Sequence, residues 1–237
     1  MANPPLIRAQ AGASTRKKRL TLVQDAQAVI AEDLYITQLG WGPSLVQAYN
    51  SADWEGVAKA RGFGISDSNL FWTHLKVEPK SSRRRIVVGT RDLIDTLNLT
   101  GAGNLWRAIG RMVYDRLGYL DENLNPIPWA LESWENLDDR TWDVVLRGGM
   151  KFHDGVPVTV EDLKFTLDFL VKYERSFFWI ANRYLESVEI IDPKARKVRL
   201  RFKQPYSEFE TSFLVLNVIL PKHLWDGRME KEKLTDP

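Results

Sequence analysis

The alternation of apolar and polar positions is clearest between Ala130 and Gly155, ALESWENLDDRTWDVVLRGGMKFHDG. Trp142, Val144 and Leu146 alternate with Thr141, Asp143 and Arg147, the period of a half-buried strand, and the stretch predicts two strands and their turns. Gly148-Gly149 breaks the run, and His153-Asp154-Gly155 predicts a turn with a residue free to take positive φ. Thr159 then stands as N-cap with Asp162 three residues later, an acidic variant of the capping box. The helix it opens, Glu161 to Tyr173, carries Leu163, Leu167, Leu170 and Val171 on its buried side. Glu186–Ile191 and Lys197–Lys203 predict a β-hairpin around Asp192-Pro193-Lys194, and Glu208–Leu214 reads as helical.

Nearer the amino terminus, Val23, Ala26, Ile30 and Leu34 recur at helical spacing and predict an amphipathic helix over 20–34. Tyr35–Leu39, Leu45–Tyr49 and Leu70–Val77 read as short strands, with loops at Asp53–Gly56 and at Gly62–Asn69. Ile86–Thr90 starts a further strand. After the Thr100–Gly103 loop, a helix is expected from about Asn104 to Leu117, with Leu105, Ile109, Met112, Val113 and Leu117 on its apolar face. Strands and helices mingle without strict βαβ order. The expected class is α/β, or mixed α+β, with a mixed β-sheet flanked by helices.

At 237 residues the chain can bury a sizeable core. A net charge of +2 argues neither for nucleic acid nor for an anionic membrane. The absence of cysteine excludes disulfides and thiolate chemistry. No apolar run approaches the roughly 18 residues of a membrane helix, and Met1–Arg19 lacks the apolar centre of a signal peptide. His74, His153 and His223 are far apart and have no metal-ligand spacing. Ser133, Ser176 and Thr159 have no recognisable base beside them, and the acidic pairs read as helix ends and turns. Gly101-Ala102-Gly103 lacks the third glycine of a dinucleotide loop. The basic run Lys197, Arg199, Arg201 and Lys203 reads as the solvated face of a strand rather than a nucleic-acid contact.

Ala130 with Ser133-Trp134, the strand ending in Leu146-Arg147, Lys151-Phe152-His153-Asp154-Gly155 and Thr159-Val160-Glu161-Asp162 together resemble the extracytoplasmic solute-binding proteins of ABC transporters. The resemblance is to the large peptide/dipeptide/nickel-binding family 5. It implies two lobes hinged around a ligand, with the first lobe built from both chain ends. Residues 86–227 look like the amino-terminal part of that lobe, and 18–79 like its carboxy-terminal part, so the pieces stand in permuted order. With a leader at 1–17, a linker at 80–85 and a tail at 228–237, the expectation is one periplasmic-binding-protein-like lobe whose second lobe lies outside this sequence.

The resemblance also implies that Thr100, Gly101, Ala102 and Gly103 offer main-chain groups to an extended ligand, and that Phe178 or Trp179 packs on an apolar ligand side chain. An ordinary turn and ordinary core packing remain open for these positions; Trp41 and Trp72 are further aromatic candidates. The implied function is non-catalytic delivery of a peptide or other small solute to ABC permease subunits. No cofactor or nucleic acid is expected, the setting is periplasmic or extracytoplasmic, and the membrane is reached only through the permease. An isolated lobe acting as a protein-interaction module is the alternative; a hydrolase would need a nucleophile–base couple.

Overall fold

The computed structural model describes residues 4–33, 48–58, 67–82, 84–87, 110–172 and 182–227. Its centre is a four-stranded antiparallel sheet of β5 (Leu131–Asp138), β6 (Thr141–Leu146), β7 (Leu185–Asp192) and β8 (Lys197–Phe202), in the order β5-β6-β8-β7. Both hairpins and the helix between them fall where the period-2 and capping patterns predict. The sheet's apolar rows are set by register: Trp134, Val144, Val198 and Ile190 lie side by side, as do Asn136, Trp142, Leu200 and Val188. Helix α5 (Val160–Lys172) covers that face with buried Leu163 and Leu167. Each such leucine contributes about 1.5–3 kcal/mol by leaving water. Both edge strands are irregular, with register shifts at Leu131/Ser133 and Asn136/Asp138 in β5 and at Leu185/Ser187 and Ile190/Asp192 in β7.

The start of α5 is capped from the Asp162 side alone. Asp162 accepts from the Thr159 backbone N–H and hydroxyl, both at 2.9 Å. Its other oxygen accepts from the Lys222 backbone N–H at 3.0 Å, and Thr166 Oγ1 accepts from the Leu220 N–H at 2.8 Å. The capping residue therefore also fastens the chain that leads into α7 (Lys222–Trp225). Before it, a π-helical turn Phe209–Phe213 runs into the short α6 (Leu214–Leu216) and buries Phe209 and Phe213 in the main core.

Two small antiparallel pairs complete the described sheets: β1 (Trp54–Glu55) with β2 (Glu78–Pro79), and the hairpin of β3 (Gly118–Leu120) with β4 (Pro126–Pro128). Every pairing among the described residues is antiparallel. Gly56 takes φ +76°, and a Cβ there would lie 2.0 Å from the Lys76 carbonyl oxygen, so only glycine fits between β1 and the chain entering β2.

Several sequence expectations are corrected. The Leu70–Val77 strand is instead helix α3 (Asp67–Lys76), which also absorbs part of the expected Gly62–Asn69 loop. Phe71 stacks on Tyr119 with ring centroids 4.0 Å apart and meets Trp129 edge-on at 5.1 Å, so aromatic packing across the fold outweighs β propensity. The expected leader contains helix α1 (Pro4–Ala11), whose end is buried at Ala11 and Ala13. Ser207 holds it by donating to the Gln10 carbonyl at 2.9 Å. The helix expected to reach Leu117 stops at Val113, as α4 (Arg111–Val113). Met112 and Val113 are exposed, while Leu117 is buried beyond the helix end. Helix α2 (Arg16–Asp33) forms where expected, but its apolar positions are not buried.

The polar face of the large sheet also differs from a plainly solvated one. Glu135, Asp143, Arg199 and Glu189 are in register across all four strands. Asp143 is only 2% exposed because Arg199 and Lys197 fold over it. Arg199 grips it bidentately at 2.7 and 2.9 Å, and Lys197 lies at 2.8 Å. Bonds from the guanidinium hold the Asp143 carboxyl below the usual carboxylate range.

Candidate functional site

Thr100, Gly101, Ala102, Gly103, Phe178, Trp179 and Trp41 lie outside the described residues. The described structure supplies the frame on either side of them, and that frame meets at Asn217. Asn182 donates through Nδ2 to Asn217 Oδ1 at 2.7 Å, and Asn217 donates in turn to the Phe213 carbonyl at 2.9 Å. The Leu117 N–H donates to the Asn217 carbonyl at 3.1 Å. The Arg116 guanidinium donates to the Val215 carbonyl. Arg116, Asn182 and Asn217 are all buried. Sequence reasoning missed this cluster, because an isolated asparagine ordinarily signals a turn. A buried amide instead serves where several backbone groups need partners at one point.

Trp72 belongs to the aromatic cluster with Phe71, Tyr119 and Trp129, and its indole N–H donates to the Leu120 carbonyl at 2.9 Å. It is half-buried within that cluster.

A groove of about 440 Å³ lies between the Lys151–Pro157 turn, the Val113–Asp115 segment and α7. Tyr114, Met150, Phe152, Leu224 and Trp225 line it, and burial raises the pKa of the Tyr114 phenol. The turn is built by Gly155 at φ +88° and by Asp154 accepting from the Val156 N–H at 3.0 Å. At its tip Asp154 meets His223 Nε2 at 2.7 Å, and this contact holds the carboxyl below its usual range. A hydrolase would need a nucleophile on the imidazole. The His223 ring contacts described are Asp154 and the Phe152 ring, tilted against it at 5.7 Å, which makes the pair a clamp between turn and helix. His153 lies in the same turn and lines the groove. A second groove of about 520 Å³ on the other side of Trp225 has Phe165, Phe169 and Ile190 among its lining residues. No group of three or more His, Asp or Glu among the described residues could hold a metal ion. No described helix is long and apolar enough to cross a membrane.

Comparison with known proteins places these parts. Residues 125–236 match the model of bacterial extracellular solute-binding proteins, family 5 Middle. The oligopeptide-binding protein AppA of Bacillus subtilis is 30% identical over 118 residues, covering 49% of this chain and 21% of AppA. The periplasmic oligopeptide-binding protein OppA of Escherichia coli is 36% identical over 58 residues, covering 24% of this chain and 11% of OppA. The structure of Bacillus subtilis AppA in complex with a nonapeptide superposes with a TM-score of 0.51 at 28% identity, over 56% of this chain and 27% of that one. The chain thus spans about a fifth or less of the length of these curated relatives. Over about half of the chain its mixed α/β architecture is similar to that of the peptide-bound AppA structure, and these curated relatives are named as oligopeptide-binding proteins.

Proposed function

We propose that the chain supplies one lobe of an extracytoplasmic solute-binding protein that hands a peptide or similar small solute to ABC permease subunits. The observation that carries this reading is the match of 125–236 to family 5, together with the likeness to a peptide-loaded relative. In this reading 18–79 and 86–227 are the two halves of a single lobe in permuted order. Packing of Phe71 from the first half on Tyr119 and Trp129 of the second supports it, as does the Arg19–Glu208 ion pair at 2.8 Å.

The work of such a lobe is recognition: two lobes close over the ligand by a hinge and shield most of its surface. One lobe alone offers half the contacts and no clamp. Backbone groups at Thr100–Gly103 and an aromatic face at Phe178 or Trp179 are its proposed contacts. The Asn217 cluster fixes the described chain at Leu117, which follows the first of those segments in sequence, and at Asn182, which follows the second. The proposed setting is periplasmic or extracytoplasmic, with the membrane reached only through the permease.

Amide-resolved NMR with a nonapeptide at about 1–5 mM, the regime of weak association, tests this. Fast-exchange shifts confined to 100–103, 178–179 and their neighbours are expected. Shifts confined elsewhere, or none, would refute the assignment, and micromolar binding by this chain alone would refute the half-site reading.

A further inference from the structure

The segment after β2 joins a strong run of positive charge to an unpaired backbone. Lys80–Arg85, KSSRRR, places four cations in six residues. Its start is fastened: Pro79 pairs with Trp54, the Lys80 N–H donates to the Asp53 carbonyl at 2.8 Å, and Lys80 Nζ donates to the Ser51 carbonyl at 3.2 Å. Beyond that anchor, Ser81, Ser82 and Arg84–Val87 are all exposed and belong to no helix or strand. The Arg84 guanidinium turns back to donate to the Ser81 carbonyl at 2.9 Å. Arg85, Ile86 and Val87 have no hydrogen bond or ion pair among the described residues, and Val87 is 80% exposed.

Other cations sit in different settings. Arg16–Arg19 lie in α2, and Lys197 and Arg199 lie in β8. Lys194 is in a turn closed on Asp192, whose carboxylate accepts backbone N–H groups at 2.8 and 3.0 Å. A protease seats several substrate residues as an added strand, so the chain it cuts must offer free backbone donors and acceptors. Helices and paired strands have to open first. Arginine is selected by a carboxylate at the bottom of the protease's primary pocket, which accepts from the guanidinium bidentately.

We propose that the Arg85–Ile86 bond is a processing site for a serine protease of arginine specificity, and that the cut chain persists as one noncovalently joined particle. Hydrolysis adds one water across the amide. The C–N bond breaks, Arg85 keeps the carbonyl carbon and ends as a carboxylate, and Ile86 begins the second fragment with an α-amine that takes up a proton. The contacts that join the fragments all cross the cut. Phe71 stacks on Tyr119 at 4.0 Å, and the Trp72 indole donates to the Leu120 carbonyl at 2.9 Å. Ser207 donates to the Gln10 carbonyl at 2.9 Å, and Arg19 pairs with Glu208 at 2.8 Å. Hydrolysis at 85–86 removes none of them. The site is independent of solute binding.

Brief trypsin digestion of the full chain, read by intact mass spectrometry, tests the site. The pair of fragments ending at Arg85 and beginning at Ile86 should form several-fold faster than any other product. The digested protein should elute with the uncut parent in size-exclusion chromatography and separate into 1–85 and 86–237 only in urea. R85Q replaces an exposed side chain, so it should keep the parent's circular dichroism and melting curve while the uncut chain disappears several-fold more slowly. A faster cut at another bond, or an R85Q chain lost as quickly as the parent, would overturn the site. Fragments that separate without urea would overturn the joined particle.

Discussion

Replacing Asp143 by asparagine removes one negative charge from beneath two cations and keeps the side chain's shape. Removing one partner of a buried, hydrogen-bonded ion pair costs about 3–5 kcal/mol when the remaining charge stays dry. Here Arg199 and Lys197 are 28% and 34% exposed, so water recovers part of their solvation. Asparagine also retains one acceptor. The expected loss is therefore about 2–3 kcal/mol at pH 7, or a fall in Tm of roughly 4–12 °C for a chain of this size.

Acid gives a second signature. The folded carboxyl titrates below its ordinary range, so its contribution is present above the unfolded carboxylate pKa of about 3.9 and is lost as pH falls through the folded value. The D143N variant lacks that component, and the stability gap between the two proteins should narrow below about pH 4. Urea unfolding followed by tryptophan fluorescence at pH 7 and pH 3 measures both. A loss under about 0.5 kcal/mol at pH 7, or a gap that widens in acid, would show that the pair does not hold the sheet's polar face together.

Two further outcomes follow from close contacts. G56A should destabilise by about 3 kcal/mol or more, since alanine meets both an unfavourable φ and the Lys76 carbonyl, and a calorimetric midpoint within error of the parent would contradict the contact. T166V keeps the side-chain shape but leaves the buried Leu220 N–H without its acceptor, costing about 1–3 kcal/mol by urea unfolding with faster amide exchange at Leu220; unchanged exchange there would mean another acceptor replaces it.

What the sequence disclosed was local. The hairpins of 131–146 and 185–202 were legible because a strict period of two is bounded by turn residues, and α5 because Thr159 and Asp162 mark its start. Asp143 fell on the expected face, but nothing in the alternation tells that cations three strands' worth of sequence away will close over it. Helix α3 was misread because Phe71 and Trp72 favour strands, and the partners that make them helical, Tyr119 and Trp129, are some fifty residues distant. Helix α1 was misread because alanines and prolines look like a leader. Yet proline suits a first helical turn, and small residues let Ala11 and Ala13 lie against the chain near Ser207. The proposed ligand contacts at 100–103 and 178–179 rest on family resemblance, and the Asn217 hub emerged only from the fold.

The irregular borders of the large sheet have a bearing on how an elongated guest could be held. At each rim only the short run between one displaced residue and the next, 133–136 on one side and 187–190 on the other, keeps an even backbone. Four residues offer too few free donors and acceptors to seat a visiting chain as a fifth member. The described rims of the sheet are thus poor seats for an added strand, and an elongated guest taken up there would lose register after a few residues.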